Sequence, residues 1–442
     1  MIPRICAVCL LIATLAPRAS AQTTMQSTSP TLAEMLQNIY GPHGLTVDSE
    51  AVLPDGSTHS AHFNGAFQSE FGKINLALVR QLGALPIPSP ASGFTYAFDT
   101  STGTFVRSTQ SFGPILADRA ETIGRGRFAF GYSLQQFSFD TFDGLRLSHV
   151  PAVFTHDDFA LGGGRADVIT TSNAISASVS QSTLSLTYGA TEHLDLSFGV
   201  PLVRTSLSVT SDATIHRIGT AENPAIHFFR DPDAPGTYGN ERVFAAHGSA
   251  AGLGDLIVRA KETVFRTPRG GVAVGLETRL PTGQEENLLG SGSFGLRVFE
   301  ATSATYGRMS PHVDVGYQWN GRSVLAGDVT AGIKGAVPNE LSYVVGADVG
   351  IERRLSIAFD VLGRHSPDAP RLASSTFTAA ESGQMFQDIA FSVGALNVLN
   401  GSFGMKANVG GTVLVTFNLQ FKLNDAGVRA KATPLVGLEY GF

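Results

Sequence analysis

Charged side chains recur at alternate positions in many segments between residues 127 and 439, with apolar side chains between them. Because a β-strand points alternate side chains to opposite faces, each such segment has one charged face and one apolar face. A charged face that lines a water-filled pore attracts ions of opposite sign, which is the basis of electrostatic selectivity. We therefore predict that nine basic and seven acidic residues line a lumen: Arg127, Asp195, Asp255, Arg259, Lys261, Glu277, Arg279, Arg297, Asp314, Asp348, Asp360, Arg364, Lys406, Lys422, Lys431 and Glu439.

Two groups of these basic residues lie on neighbouring segments, and each group could form a ladder along the lumen. The first group is Arg259, Lys261, Arg279 and Arg297, and the second is Lys406, Lys422 and Lys431. Such ladders would set the ion selectivity of a pore. The alternative is that Arg279 pairs with Glu277 or Asp255 and that the charged set simply fills a narrow lumen. The sequence leaves both interpretations open.

Enzymatic chemistry has little support in the chain. The adjacent trio His156-Asp157-Asp158 is the nearest approach to an acid–histidine arrangement, and a solvated loop explains it equally well. The run Gly162-Gly163-Gly164 lacks the Lys-Ser/Thr that a phosphate-binding loop requires. We predict no catalytic residue, no cofactor and no metal site.

The N-terminus has the features of a signal peptide. Arg4 provides a positive charge, an apolar run follows to Ala16, and Ala19-Ser20-Ala21 matches a small-residue cleavage site. Residues 1–21 are therefore predicted to be removed. Both cysteines, Cys6 and Cys9, lie within that segment, so the mature protein would have neither disulfides nor a cysteine nucleophile.

The composition favours an exported membrane protein over a soluble enzyme or a nucleic-acid-binding protein. The chain has 442 residues, 49 of them glycine and 29 phenylalanine, with only 15% charged residues. Loss of Arg4 and Arg18 with the signal peptide changes the formal net charge from −6 to −8. A negative protein is a poor ligand for nucleic acid, so we expect no nucleic-acid partner.

From residue 125 onward, apolar alternation recurs in segments joined by short and long connections in turn. This pattern predicts an all-β fold, a transmembrane antiparallel up-and-down β-barrel of the bacterial outer membrane with about twelve strands. The long connections, expected outside the cell, are Asp140–Ser180, Ser211–Gly252, Thr282–Ser293, Gly321–Glu340 and His365–Asn400. The apolar phase changes at Gln135-Gln136, which predicts a β-bulge there. A soluble β-sandwich or propeller is the rival interpretation.

Residues 22–124 differ from the barrel region, residues 125–442. Phe67, Phe71, Ile74, Leu78 and Leu82 share one helical face. A hairpin is predicted around the turn at residues 100–103, and it would raise the strand count to about fourteen if it joined the wall. The segment is either a periplasmic helix and hairpin or a plug that gates the lumen.

The last strand of the chain ends on aromatic side chains. Leu438, Tyr440 and Phe442 share the apolar face, whereas Glu439 faces the opposite way. We predict that these three residues form an assembly signal for the barrel-assembly machinery, and that outer-membrane lipid contacts the apolar face.

Several stretches resemble an outer-membrane family labelled "putative meta-pathway of phenol degradation". They are GLGDLIVRAKETVFRTPRGGVAVGLETRLPTGQEENLLGSGS (252–293), SPHVDVGYQWNG (310–321), LNDAGVRAKATPLVGLEYGF (423–442), GFTYAFD (93–99) and SFGPILADRAETIGRGRFAFGY (111–132). The resemblance implies a transporter-like β-barrel and a link to the uptake of small, often aromatic, molecules.

The expected function is a passive outer-membrane channel or transporter for small molecules, aromatic or hydrophobic ones among them. The protein would reach the bacterial outer membrane after export directed by a cleaved signal peptide. One alternative is a non-transporting surface barrel whose extracellular loops bind a partner or support the envelope. A second alternative is a hydrolase that uses loop carboxylates.

Overall fold

The computed structural model has twelve long strands that form the wall of a barrel. It describes residues 30–41, 44–49, 61–64, 72–83, 96–99, 104–107, 111–156, 167–216, 227–231, 234, 236–379 and 382–442. The wall strands are β1 (Phe128–Phe142), β2 (Val168–Gly189), β3 (Leu194–His216), β4 (Glu241–Leu253, continued by Leu256–Thr267), β5 (Gly270–Leu280), β6 (Gly295–Ala304), β7 (Met309–Asn320), β8 (Glu340–Glu352), β9 (Leu355–Thr378), β10 (Met385–Gly410), β11 (Val413–Lys422) and β12 (Ala432–Gly441).

In the part of the chain that the structure describes, two helices and several short elements accompany the wall. The helices are α1 (Leu32–Met35) and α2 (Gly72–Gly83). Among the residues that the structure describes, no helix is long and apolar enough to cross a membrane. The short elements are the strands Leu45–Ser49, Ala61–Asn64, Tyr96–Asp99, Thr104–Arg107, Leu145–Arg146, Val150–His156, His227–Arg230, Tyr238–Gly239, Arg322–Asp328, Ile333–Ala336 and Val428–Ala430, and the 3₁₀ turn Glu285–Asn287.

The barrel closes between its first and last strands. β12 pairs antiparallel with β1 from Leu435↔Gln135 to Gly441↔Ala129. Beyond that ladder, the Phe442 amide donates to the Phe128 carbonyl at 2.9 Å, and the Phe128 amide donates to the Phe442 carbonyl at 2.8 Å. The predicted twelve-stranded antiparallel barrel is confirmed. The sandwich or propeller interpretation is wrong, because the wall has no free edge between these strands.

The predicted hairpin does not join the wall. Tyr96–Asp99 pairs antiparallel with Thr104–Arg107 in a separate two-stranded sheet. The hairpin therefore forms as expected, but the count of fourteen strands does not apply. The predicted helix also forms, and its residues Ile74 and Leu78 are buried. Phe67 and Phe71 lie outside the described residues.

The two ends of the barrel differ in the length of their connections. Short turns at 190–193, 268–269, 305–308, 353–354 and 411–412 lie at the same end as residues 128 and 442. Outer-membrane barrels place short turns on the periplasmic side, so we assign this end to the periplasm.

A belt of exposed apolar side chains surrounds the wall near the periplasmic end. Side chains with this exposure include Phe130, Leu186, Phe198, Leu276, Val298, Tyr317, Phe359, Met405, Phe417 and Tyr440. Each alternates with buried neighbours, so the belt faces outward. Lipid is the environment in which such a surface is stable.

Above this belt, the polarity of the wall inverts. On β2, Ser176 and Ser178 face outward, whereas Ile175, Ala177 and Val179 are buried inside. The wall here extends beyond the lipid, with water outside and an apolar core within. The predicted bulge at Gln135-Gln136 is therefore wrong: β1 and β2 pair without interruption from Phe128 to Phe139.

The same inversion explains why the predicted outer loops are partly strand. β2 begins at Val168 within the predicted loop Asp140–Ser180, and β4 begins at Glu241 within Ser211–Gly252. β9 and β10 extend the hairpin to Thr378 and Met385, well inside His365–Asn400. The outward face of the β2 extension is polar, whereas Val243 on β4 and Val393 on β10 are exposed apolar side chains. The regular row of lipid-facing apolar residues therefore ends while the strands continue.

The N-terminal helices lie inside this extension. Side chains of α1 and α2 belong to one buried cluster with inward side chains of the wall, including Leu32, Leu36, Ile74, Leu78, Phe139, Val179 and Leu207. α1 begins with a capping box, in which the Thr31 hydroxyl accepts from the Glu34 amide and the Glu34 carboxylate accepts from the Thr31 amide at 2.9 Å. The main apolar core of the described residues therefore lies inside the part of the barrel that extends beyond the lipid-facing belt.

Candidate functional site

Residues 111–123 cross the lumen in the periplasmic half of the barrel and are called the luminal segment. The segment has no regular secondary structure, and its backbone amides donate to inward side chains of four wall strands, β3, β6, β7 and β9. Phe112 N lies 2.9 Å from Ser356 Oγ on β9, and Ala120 N lies 3.0 Å from Ser303 Oγ on β6. Ile123 N lies 3.2 Å from the Asp195 carboxylate on β3.

Two charged side chains of the segment form buried ion pairs with the wall. Arg119 Nη2 lies 2.9 Å from Asp348 Oδ2, and both side chains are at most 2% exposed. Asp118 Oδ2 accepts from Arg259 Nη1 at 2.9 Å, and the Asp118 amide donates to Asp314 Oδ2 at 2.6 Å. Wall charges of both signs therefore fix this part of the segment.

Lys261 binds the segment through its backbone. Its Nζ donates to the carbonyl of Arg119 at 2.8 Å and to that of Glu121 at 2.9 Å. Thr263, two residues along β4, donates to the carbonyl of Ala120. β4 thus provides a hydrogen-bonding surface for three consecutive carbonyl groups.

The residues of the first predicted basic group contact a wall carboxylate, an aromatic ring and the luminal segment. Arg259 Nη2 pairs with Glu277 Oε2 at 2.6 Å, while Arg279 lies 3.9 Å from the same carboxylate. Arg297 lies over the Phe299 ring, with its guanidinium carbon 5.0 Å from the centroid. The residues are neighbours on β4, β5 and β6, as the sequence suggested, but two of them bind the luminal segment.

The second predicted basic group is not brought together. In the ladder between β10 and β11, Lys406 lies opposite Thr416 and Lys422 lies opposite Asn400. Lys406 and Asn400 are six residues apart on β10, so Lys406 and Lys422 are separated by roughly 20 Å along the wall. Lys406 pairs with Glu439 at 3.1 Å, and Lys422 pairs with Asp425 at 2.8 Å. Lys431 is exposed, so these lysines do not form a ladder.

The remaining predicted residues occupy separate positions. Asp255 accepts from the Ser291 hydroxyl at 2.6 Å and from its amide at 2.7 Å, which fixes the loop before β6. Asp360 lies 2.7 Å from His312 Nε2, and His312 Nδ1 lies 3.5 Å from Asp348. Arg127 is half-buried just before β1.

Sequence reasoning missed three residues of this network. His312 shares the inward phase of Asp314, so the alternation could have identified it. Asp118 and Arg119 gave no such signal, because the luminal segment has no period that relates its side chains to the wall. Among the described residues, no group of three His, Cys, Asp or Glu side chains is placed to hold a metal ion.

α2 crosses the extracellular half of the lumen. Arg80 Nη2 pairs with Glu340 Oε2 at 3.2 Å, and burial lowers the pKa of Arg80 although Glu340 opposes this effect. Gln81 donates to the Val428 carbonyl at 2.9 Å and accepts from Arg364 Nη2 at 2.7 Å. The helix is thus bound to β8, to β9 and to the short strand Val428–Ala430.

The loop after α1 is fixed by Tyr40. Its hydroxyl lies 2.9 Å from Ser211 Oγ on β3 and 3.2 Å from Asn173 Oδ1 on β2. Burial raises the pKa of the Tyr40 hydroxyl to about 12, so it remains a neutral hydrogen-bonding group.

A cavity of about 110 Å³ separates α2 from the luminal segment and is called the luminal chamber. Gln81 borders it on the extracellular side, and Leu116 and Asp118 border it on the periplasmic side. Its lateral lining includes six cationic side chains, Arg259, Arg279, Arg297, Arg364, Lys422 and Arg429, and the acids Glu277, Asp314 and Glu340. Phe137 and Phe139 add an aromatic surface. Residues N-terminal to the wall therefore border the chamber on both its extracellular and its periplasmic side.

The family resemblance inferred from the sequence motifs is confirmed. The family model described as "Putative MetA-pathway of phenol degradation" matches residues 152–351. This match includes the stretches 252–293 and 310–321. No curated protein sequence matches the chain.

Among solved structures, the chain is similar to an outer membrane channel from Pseudomonas putida F1, with 11% identity, 73% of this chain and 98% of that chain covered, and a TM-score of 0.44. It is also similar to a Pseudomonas aeruginosa FadL homologue, with 10% identity, coverage of 79% and 94%, and a TM-score of 0.31. A third similar structure is the toluene transporter TbuX of Ralstonia pickettii, with 14% identity, coverage of 72% and 90%, and a TM-score of 0.26.

Proposed function

We propose that this protein is an outer-membrane channel for small molecules, in which the luminal segment closes the pore and must move before a solute passes. The observation that carries the proposal is that buried charges of the wall bind a segment that belongs to no wall strand. Arg259, Lys261 and Asp348 all contact this segment. The twelve-stranded ladder does not depend on it, so the wall can persist when the segment shifts.

A wall rich in charged groups favours this function because water can replace the segment as a hydrogen-bonding partner. Buried ions are costly when they are isolated, but the same groups are stable when they line an aqueous pore. The family description, with its reference to phenol degradation, is our reason for including aromatic molecules among the solutes. The proposal contains no catalytic step.

Conductance across planar lipid bilayers tests the proposal. Lys261→Met removes the hydrogen bonds to the carbonyls of Arg119 and Glu121, so we expect more frequent or larger openings than in the wild type. Glu262→Gln is the matched control, because Glu262 is the next residue of β4 and faces outward. If both variants remain as closed as the wild type, including after removal of residues 31–119, the channel proposal is refuted.

The alternative of a surface-binding barrel is favoured by one observation. The barrel extends above its apolar belt and holds a continuous apolar core that includes both N-terminal helices. A rigid extension of this kind could present loops to a partner without conducting anything. Absence of conductance in every variant would make this the leading function.

A further inference from the structure

The luminal chamber has an excess of positive charge on one side. Arg364, Lys422 and Arg429 line it from β9, β11 and the short strand Val428–Ala430. Lys422 is neutralised by Asp425 at 2.8 Å and by Asp140 at 3.6 Å, which leaves Glu340 as the acid beside the two arginines. Glu340 is already shared between Arg364 at 3.5 Å and Arg80 at 3.2 Å. On the other side, Arg259, Arg279 and Arg297 are matched by Asp118, Glu277 and Asp314. The excess therefore lies near Arg364 and Arg429.

Arg429 differs from the other cations of the chamber because it is buried without an ion-pair partner among the described residues. Its side chain is 3% exposed, and Nη2 donates to the Leu399 carbonyl at 2.8 Å and to Asn400 Oδ1. Within the part of the chain that the structure describes, Arg429 has no ion-pair partner within 4.0 Å, and its Nε has no acceptor. Burial and the nearby guanidinium of Arg364 lower its pKa to about 10, although the carboxylates of Asp425 and Asp140 act in the opposite direction. An anion at this place would relieve both effects.

A second donor faces the same chamber. Gln420 lies on the inward face of β11 and is 8% exposed, and its Nε2 has no acceptor among the described residues. Two buried donors without acceptors indicate a ligand that carries acceptor oxygens. Water could satisfy these donors, but water would not neutralise the excess charge beside Arg364.

The apolar surface of the chamber lies next to these donors. Ala430 pairs with Phe139 in the ladder to β1, so Arg429 and the Phe137–Phe139 pair are neighbours. The two rings are nearly parallel, with centroids 6.0 Å apart. The chamber, of about 110 Å³, is comparable with an engineered cavity of about 150 Å³ that holds benzene. It fits a ligand with one ring or a short chain.

We propose that the luminal chamber binds a small organic carboxylate, with its carboxylate at Arg429, Arg364 and Gln420 and its apolar part against Phe137 and Phe139. This inference deepens the proposed function and rests on it for the role of the site, because a carboxylate bound here would be a solute held within the pore. Binding itself is measured independently of transport. The substrate class is thus an organic monoanion rather than a neutral hydrocarbon.

Calorimetric titration of the folded full-length protein in detergent micelles tests the site with benzoate as the probe. We expect benzoate to bind at least about tenfold more tightly than benzamide, its neutral analogue, because only the carboxylate neutralises the charge of Arg429 and forms hydrogen bonds in which both partners are charged. Acetate and inorganic phosphate should also bind more weakly, since neither fills the apolar surface. Equal affinity for benzoate and benzamide, or no benzoate binding, would overturn the proposal.

Two variants locate the site. Arg429→Gln should abolish the preference for benzoate over benzamide, whereas Lys431→Gln, the same charge change two residues away on an exposed side chain, should preserve it. Gln420→Met removes the second donor without changing charge, and it should weaken benzoate binding. This variant tests the site if Arg429→Gln does not fold. An equal loss in the Lys431→Gln control would show that overall charge, and not the chamber, attracts the anion.

The outcomes separate the two proposals. Benzoate binding without conductance in any variant would refute the channel and leave the carboxylate site intact. Conductance without benzoate binding would leave the channel intact and refute the site.

Discussion

Arg119 of the luminal segment and Asp348 of β8 form an ion pair of 2.9 Å in which both side chains are almost fully buried. One partner belongs to the wall, whereas the other belongs to a segment that no strand pairing holds in place. Removal of one partner from a buried pair leaves an uncompensated charge, whereas surface pairs contribute little. This contact therefore anchors the luminal segment to β8.

The first prediction follows from this pair. Arg119→Ala should lower the free energy of unfolding by about 3 kcal/mol, because the buried Asp348 carboxylate then loses its closer cation and retains only His312 at 3.5 Å. Urea unfolding in lipid vesicles, followed by tryptophan fluorescence of Trp319, measures the change. Arg125→Ala is the control, since Arg125 is exposed just beyond the segment. An equal effect of both substitutions would show that the pair has no special role.

The sequence predicted the wall well because lipid imposes a strict period on it. From Phe198 to Tyr440, the apolar alternation identified the strands near the periplasmic end, their number and their short turns. It failed where the wall rises above the lipid, since Phe137 and Phe139 keep their alternation but face inward. At that height the apolar side chains move from the outward to the inward face of the wall, while the two-residue alternation continues. The sequence alone does not mark the height at which the lipid ends.

The contents of the lumen were less predictable. The inward charges could be listed from their phase, but their partners Asp118 and Arg119 are in a segment without periodic structure. Ion pairs between such a segment and the wall depend on how the chain crosses the barrel, which no local spacing encodes. For the same reason, the chamber near Arg429 follows only from the three-dimensional arrangement.

The second prediction tests the inversion of polarity on β3. Phe198 and Ser208 both face outward, Phe198 within the apolar belt and Ser208 above it. Phe198→Arg should cost about 2–4 kcal/mol, because it places a cation against lipid. Ser208→Arg should change stability by less than about 0.5 kcal/mol, because its surroundings are water. The free energy of unfolding in vesicles measures both, and similar costs would mean that the lipid belt extends to Ser208.

The third prediction concerns Asp143, which joins the β9–β10 hairpin to the turn after β1. Its carboxylate accepts from Arg371 Nε at 3.0 Å, from the Leu372 amide at 2.8 Å and from the Gly427 amide at 2.7 Å. Asp143 has a φ of 47°, which Asn tolerates well. Asp143→Asn should therefore keep the turn but weaken the bond to Arg371, and Asp143→Ala should also strain the turn.

Limited proteolysis of intact cells measures this effect. We expect cleavage within the β9–β10 hairpin to be slow in the wild type, faster in Asp143→Asn and fastest in Asp143→Ala. Asp368→Asn is the control, because Asp368 is an exposed carboxylate on the same hairpin. Cleavage rates that follow the control would show that Asp143 does not hold the hairpin.

The last prediction concerns assembly at the closing strand. Tyr440 and Phe442 are exposed on the outward face, and their rings lie 5.4 Å apart, while Phe442 also stacks on Phe128 with centroids 5.6 Å apart. The aromatic row thus spans the seam between β12 and β1.

Tyr440→Ser combined with Phe442→Ser should reduce the amount of folded barrel in outer-membrane fractions, because the proposed assembly signal and the lipid contact at the seam are both lost. The shift in gel mobility between unheated and boiled samples measures folded protein. Glu352→Gln, an exposed change at the periplasmic end of β8, should leave this amount unchanged. If the double variant folds as well as this control, Leu438 and the backbone of β12 are sufficient for assembly, and the aromatic side chains are not part of the signal.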